Sequence, residues 1–190
     1  LATGDIKALS AVLGVQTETV MNLAKGVDLR PVITERRAKS VSNETTFSQD
    51  LSDLNALEVE LEALCLKLSA RLKAKGIAGG TINLKLKRAN HRTITRSRTV
   101  SSRIDKAYHL FEIGRDLLKK EIKDTNFYRL LGIGVSNIGK ASEARLFDLL
   151  GGEDDKRNRL ESAVDDLHSK MGKEVLYTGR QFTKKLLKKK

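Results

Sequence analysis

The residue types that carry most enzyme chemistry are few in this chain, and they are scattered. His91, His109 and His168 share no ligand spacing, and an isolated histidine is more often a surface or core residue than a metal ligand. Cys65, the single cysteine, lies beside an apolar stripe and reads as a small core residue. One thiol excludes an internal disulfide and a thiolate zinc cage, and it suits a reducing cytoplasm. The segment GIGVSNIGK (132–140) comes near the spacing of a phosphate loop through Gly134, Gly139 and Lys140. Ala141 stands where that loop needs a metal-binding hydroxyl, and no acidic strand follows, so the motif is rejected. Paired carboxylates beside a strand end, a nucleophile elbow and a metal cluster are not visible. Nothing in the sequence reads as catalytic.

What the sequence offers instead is charge. The 190 residues carry 36 Lys and Arg against 24 Asp and Glu, a net +12. Residues 36–138 hold 20 basic and 11 acidic side chains, whereas residues 1–35 hold 3 and 4. Residues 139–183 hold 8 and 9, and the final KKLLKKK adds five lysines that read as a tail. Between Glu62 and Asp105 lie 42 residues with 11 Lys or Arg and no carboxylate. Like charges repel unless something compensates them, so a one-sign stretch in a globular region points to a polyanionic partner, nucleic acid before acidic lipid. Hydrophobic residues make up 39% of the chain, a globular composition. No uncharged run exceeds 10 residues, short of the roughly 20 that a membrane-spanning helix needs. The first residues, LATGDIKAL, do not read as a signal peptide.

Residues 1–26 are expected to form two short helices. Asp5 caps the first before Gly14 stops it; Thr17 caps the second before Gly26 stops that. Residues 27–38, with Pro31, read as an extended linker. KSVSNETTF (39–47) has strand parity, and Asp53 opens a helix with a stripe of Leu54, Leu57, Leu61, Leu64, Leu68 and Leu72. TINLKLKR (81–88) alternates, with Ile82, Leu84 and Leu86 on one side and Asn83, Lys85 and Lys87 on the other. Asn90-His91 marks a turn. RTITRSRTV (92–100) has strand propensity with muddled parity, since Ile94 and Val100 share a face with Arg96 and Arg98, and a bulge would repair it. A second helix is expected from about Ser102 to Lys123, and RLLGIGVSN (129–137) closes the domain as a strand.

The order strand–helix–strand–strand–helix–strand predicts an α+β fold: a split βαββαβ domain at 39–138, with a four-stranded antiparallel sheet and two helices on one face. Right-handed crossovers would place strands one and three in the middle. The open face would carry Ser40, Ser42, Lys85, Lys87, Gly132, Gly134 and Ser136. No aromatic residue lies on the second or third strand, and Phe47 of the first has core parity, so the open face offers none for stacking bases. A grip on the sugar-phosphate backbone by Arg, Lys, Ser and Thr is the expected mode.

KSVSNETTF, TINLKLK, RTITRSRTV and RLLGIGVSN, in that order, resemble the little-finger domain of Y-family translesion DNA polymerases of the bacterial DNA polymerase IV type. LAKGVDLRPVITERRAKS resembles the end of their thumb and the linker after it. The resemblance implies residues 1–26 as a thumb remnant, 27–38 as the linker, 39–138 as the little finger and 139–190 as a tail. It implies a DNA-binding, non-catalytic part of a cytoplasmic nucleotidyltransferase for damage bypass. The palm, with its magnesium-binding carboxylates, would precede Leu1, so this chain alone would be inactive and hold no cofactor. The residues it implies for gripping primer–template DNA are Lys39, Ser40, Val41 and Ser42 on the first strand, and Thr95, Arg96, Ser97, Arg98 and Thr99 on the third, beside Lys85 and Lys87. EARLFDLL (143–150) is similar to the family's sliding-clamp peptide, with Leu146 and Phe147 in its Leu-Phe positions but Glu143 where Gln is expected. The other reading of these residues is an extension of a packed helix. An amphipathic helix with Leu160, Val164, Leu167 and Met171, ending at Gly172, is expected after it. The competing functional classes are a freestanding ferredoxin-like RNA-binding module and a membrane-surface module.

Overall fold

Two compact units divide the chain at Arg37 and Ala38. The computed structural model describes residues 1–34, 38–123, 125–141 and 155–172, together with 176, 179 and 182. In the first unit, Asp5 accepts hydrogen bonds from the amides of Lys7 and Ala8 at 3.2 and 3.3 Å, satisfying two donors that a helix start leaves orphaned. Helix α1 (Ile6–Leu13) follows, then a 3-10 turn (Gly14–Gln16) and α2 (Thr17–Ala24). Thr17 was expected to cap α2 as an acceptor. Its hydroxyl instead donates to the Gly14 carbonyl at 2.7 Å, because the 3-10 turn already carries the chain into the helix. Only Thr17 and Met21 are buried in these helices.

In the second unit, the leucine spacing does what its period demands. The Asp53 carboxylate accepts from the Ala56 amide at 2.7 Å and starts α3 (Leu54–Ala74). Leu57, Leu61, Leu64, Leu68 and Leu72 are buried along one side, and Cys65 beside them is fully enclosed. Burial, with a smaller contribution from Glu62, pushes the Cys65 thiol far above its ordinary range. Each buried leucine contributes roughly 1.5–3 kcal/mol of hydrophobic stabilisation. Strands β1 (Ser40–Leu51), β2 (Ile77–Arg88), β3 (Thr93–Ile104) and β4 (Tyr128–Lys140) form the sheet, and α4 (Ala107–Glu121) joins β3 to β4. The side chains of Ile82, Leu84 and Leu86 on β2 and of Leu131, Ile133 and Val135 on β4 pack with α3 and with Leu110, Phe111, Leu117 and Leu118 of α4.

The sheet is antiparallel throughout, in the order β1-β4-β2-β3. Strands one and three were expected in the middle; they are the two edges. The physical reason lies in the core-facing positions. Along their paired lengths β2 places Ile82, Leu84 and Leu86 there and β4 places Leu131, Ile133 and Val135, whereas β1 places Asn43 and Thr45 and β3 places Arg96 and Arg98. Polar groups at such positions can reach water or a partner only from an edge.

The β2–β3 hairpin turns at Asn90-His91 as expected, with His91 at φ 67° and the Arg92 amide donating to Asn90 Oδ1 at 3.1 Å. The register is constant from Lys87↔Thr93 to Thr81↔Thr99 and shifts only before Gly79↔Ile104. The expected bulge therefore exists, but it follows Thr99 and does not separate Ile94 from the arginines. It also lengthens β3, so α4 begins at Ala107 rather than near Ser102.

Helix α5 (Asp155–Met171) docks by carboxylates rather than by its apolar stripe. The Glu161 carboxylate accepts from the first amide of α4, Ala107, at 3.0 Å, where Lys106 provides no side-chain cap of its own. The same carboxylate and that of Asp165 bind the Lys73 ammonium from the last turn of α3. Burial draws the Lys73 pKa down, but the hydrogen bonds with Asp165 and Glu161 outweigh it, and the net shift is upward. The Lys73 ammonium therefore stays charged at neutral pH, and on the alkaline side its contribution to stability fades as the ammonium titrates. Leu160 and Met171 are left 66% and 64% exposed while Val164 is half-buried, so the two ends of the stripe do not face the domain.

Two measurements check this account. Ala107 to Leu110 should lose hydrogen-exchange protection in Glu161→Ala while α3 keeps its own, with a cost of about 1 kcal/mol in urea unfolding, as for other lost caps. A Cβ placed on Gly134 would lie 2.7 Å from Ser42 Cβ and 3.1 Å from the Val41 carbonyl oxygen. Gly134→Ala should therefore cost about 1–3 kcal/mol as an overpacked site, and adding Ser42→Gly should recover part of it.

Candidate nucleic-acid interface

One face of the sheet is dry and the register decides what the other presents. From β1 it carries Ser40, Ser42, Glu44 and Thr46, in register on β4 with Ser136, Gly134, Gly132 and Leu130. From β2 it carries Thr81, Asn83, Lys85 and Lys87, in register on β3 with Thr99, Ser97, Thr95 and Thr93. The face is thus a lawn of short polar groups over a glycine floor, with no aromatic ring. Its members are linked: Thr81 and Thr99 hydroxyls lie 3.0 Å apart, Asn83 Nδ2 donates to Ser136 Oγ at 3.1 Å, and Lys85 Nζ reaches Glu44 Oε2 at 2.8 Å.

Seven of the sequence-derived candidates come together on this face: Ser40, Ser42, Lys85, Lys87, Thr95, Ser97 and Thr99. Lys39 is exposed immediately before β1. Val41 does not join them, because the alternation of a strand turns its side chain into the core, where it is 5% exposed. Arg96 and Arg98 also leave by the other side. They stand opposite Leu84 and Ile82. Arg96 Nε donates to Glu121 Oε1 at 2.7 Å and Arg98 NH1 to Asp116 Oδ2 at 3.2 Å, both carboxylates belonging to α4. They reach past the edge of the helical layer only because β3 is an edge strand.

The edge of β1 adds a second kind of donor. Arg71 NH1 donates to the Ser42 carbonyl and to Asn43 Oδ1, each at 2.7 Å. The Ser42 carbonyl therefore points off the sheet. In an extended strand the amide and carbonyl of one residue point the same way, so the amides of Ser40, Ser42 and Glu44 also line this free edge.

The one-sign charge stretch is dispersed by folding. Lys67, Arg71, Lys73 and Lys75 lie in or just beyond α3, and Arg96 and Arg98 lie on the helical side of β3. Several of these cations meet carboxylates from outside the stretch: Glu161, Asp165, Glu121 and Asp116. Two lysines and one glutamate remain on the open face, which is mildly cationic rather than strongly so. Sequence reasoning passed over Glu44, Thr81, Asn83 and Thr93 as site residues, although their parity with Ser42 and Lys85 was a usable signal. Leu146 and Phe147 lie outside the described residues. Among the described residues no group of three or more His, Cys, Asp or Glu is placed to hold a metal ion. No helix among them is long and apolar enough to cross a membrane.

Comparisons with known proteins agree on one family. Residues 38–149 match the model described as the impB/mucB/samB family C-terminal domain. The chain is 41% identical over 169 residues to a protein of Mesorhizobium japonicum named DNA polymerase IV 1, covering 89% of this chain and 38% of that one. It is 41% identical over 184 residues to DNA polymerase IV of Brucella melitensis, covering 97% of this chain and 41% of that protein. A solved Y-family DNA polymerase chimera shares the fold with a TM-score of 0.57 at 17% identity, over 72% of this chain and 39% of the chimera. The chain spans about two fifths of the length of the relatives named here. With a family domain over more than half its length, resting on the one-sided sheet just described, the chain belongs to the impB/mucB/samB family, to which it contributes the C-terminal, little-finger type of domain.

Proposed function

We propose that this domain is a sequence-nonspecific grip on the sugar-phosphate backbone of primer–template DNA, within a translesion polymerase of the DNA polymerase IV type. The observation that carries the reading is the open face: ten hydroxyl or amide side chains and two lysines, on a sheet where Gly132 and Gly134 let Ser42 and Glu44 of the neighbouring strand lie low over the backbone. Hydroxyls, lysines and edge amides bind phosphate oxygens without regard to the base between them, and an enzyme that copies damaged templates benefits from that indifference. Base stacking has no ring to use here.

Nucleotide addition and its magnesium belong, in this reading, to the part of the longer relatives that this chain does not span. The names of those relatives support the assignment to a polymerase. Leu146 and Phe147 are proposed as a docking pair for the sliding clamp, on the strength of their place in EARLFDLL alone. Lys39, exposed just before β1, serves as a secondary contact, whereas Arg96 and Arg98, on the helical side of the edge strand, are at most outlying ones.

Fluorescence anisotropy with a labelled primer–template over a range of salt concentrations tests the grip. Binding should be weak, indifferent to sequence and steeply salt-dependent. Lys87→Ala should lower the log–log salt slope by about 0.9, the loss of one phosphate contact. Ser97→Glu, which sets a charge into the face, should weaken binding about tenfold, whereas Arg96→Ala/Arg98→Ala should weaken it less. Equal, salt-insensitive binding by all of these chains would sink the reading, and a preference for single-stranded RNA would return the case to an RNA-binding module.

A further inference from the structure

Among the residues that the strand register places on the open face, Glu44 is the one acidic side chain, and it lies on the edge strand β1. It lies on β1 in register with Gly132 of β4, and Gly132 is in register on its other side with Lys85 of β2. The 2.8 Å contact between Lys85 Nζ and Glu44 Oε2 therefore spans from β1 to β2 across the central strand. Only a glycine beneath leaves room for it: a Cβ on Gly132 would lie 3.0 Å from Glu44 Cβ and 3.5 Å from Lys85 Cβ. The side chains of Lys85 and Glu44 are 43% and 49% exposed, so water competes for both and the pair is of the weak, exposed kind that a ligand can part.

We propose that the Glu44–Lys85 pair is an electrostatic strap across the glycine floor, one that a phosphate must displace before it reaches the face. Two consequences follow from charge alone. While the strap is closed, Lys85 is spent on an internal partner. Once it opens, the Glu44 carboxylate is left near the incoming phosphate and repels it. Glu44 thus limits how tightly the face holds DNA, which suits a domain that must let its substrate advance rather than trap it. This inference rests on the open face being the DNA-binding surface.

The test uses the 190-residue chain, a labelled primer–template and salt titrations, with urea unfolding to show that each variant is folded. Glu44→Gln keeps the shape, removes the carboxylate and releases Lys85. It should tighten binding about 3- to 10-fold and steepen the log–log slope by about 0.9, one additional phosphate contact. Glu44→Gln/Lys85→Met should lose that gain in slope, showing that the gain passes through Lys85. Suppose that Lys87→Ala weakens binding while Glu44→Gln leaves it unchanged: the strap is then overturned and the face reading stands. If Glu44→Gln weakens binding, Glu44 is itself a contact to the nucleic acid, and the strap is again overturned. If neither variant alters binding, the face reading has failed, and the strap with it.

Discussion

A four-stranded sheet with both its crossover helices on one side can exclude water from only that side, and this constraint governs the rest of the domain. The leucines of α3 and the apolar residues of α4 claim every second position of β2 and β4. The intervening positions are left without a layer to cover them. They must be compatible with water, and apart from Leu130 they are Ser, Thr, Asn, Lys, Glu and Gly. The polar face is thus a by-product of one-sided burial before it is a binding surface. What makes it a surface for something is its flatness: the side chains are short, and the two glycines of β4 let the neighbouring strands' Ser42 and Glu44 lean over the backbone.

The distribution of charge shows the same economy on the helical side. Taken as a string, the residues between Glu62 and Asp105 are an uncompensated cationic block. In three dimensions, three of their charges, Lys73, Arg96 and Arg98, meet carboxylates supplied by α4 and α5. Glu161 serves two purposes, ending the exposed row of amides at the start of α4 and neutralising Lys73 at the end of α3. Both sites favour an anion for their own reasons, the first from the helix dipole and the second from the ammonium. A positive run in sequence is therefore a poor measure of a positive surface. The open face presents more hydroxyls and amides than net charge.

Edges, rather than centres, carry the remaining polar chemistry. β1 and β3 are free along one side, where strand edges expose main-chain donors that a protein must blunt, pair or use. Arg71 covers the Ser42 carbonyl of one edge. On the other, the arginines of β3 lie where α4 ends and reach its carboxylates. These are the positions where polar residues sit among core-facing neighbours without being buried unpaired, which is why the muddled parity of RTITRSRTV did not need a bulge.

Much of the domain was legible in the linear order of residues. The leucine period of three and four marked α3, Asp53 marked its start, and the alternation of TINLKLK separated core from solvent on β2. All of these depend on neighbours within a turn or two of chain. The strand order was not legible, because pairing is chosen by which strands can afford polar groups in the core layer, a comparison among segments up to about ninety residues apart. Nor could local spacing show that Arg96 and Arg98 would turn away from Lys85, or that Glu44 and Glu161 would find lysines 41 and 88 residues distant. Residue types and their periods determined the elements and which side of each was dry. Only the tertiary structure decided which charges remain uncompensated, because compensation depends on distance through space and not along the chain.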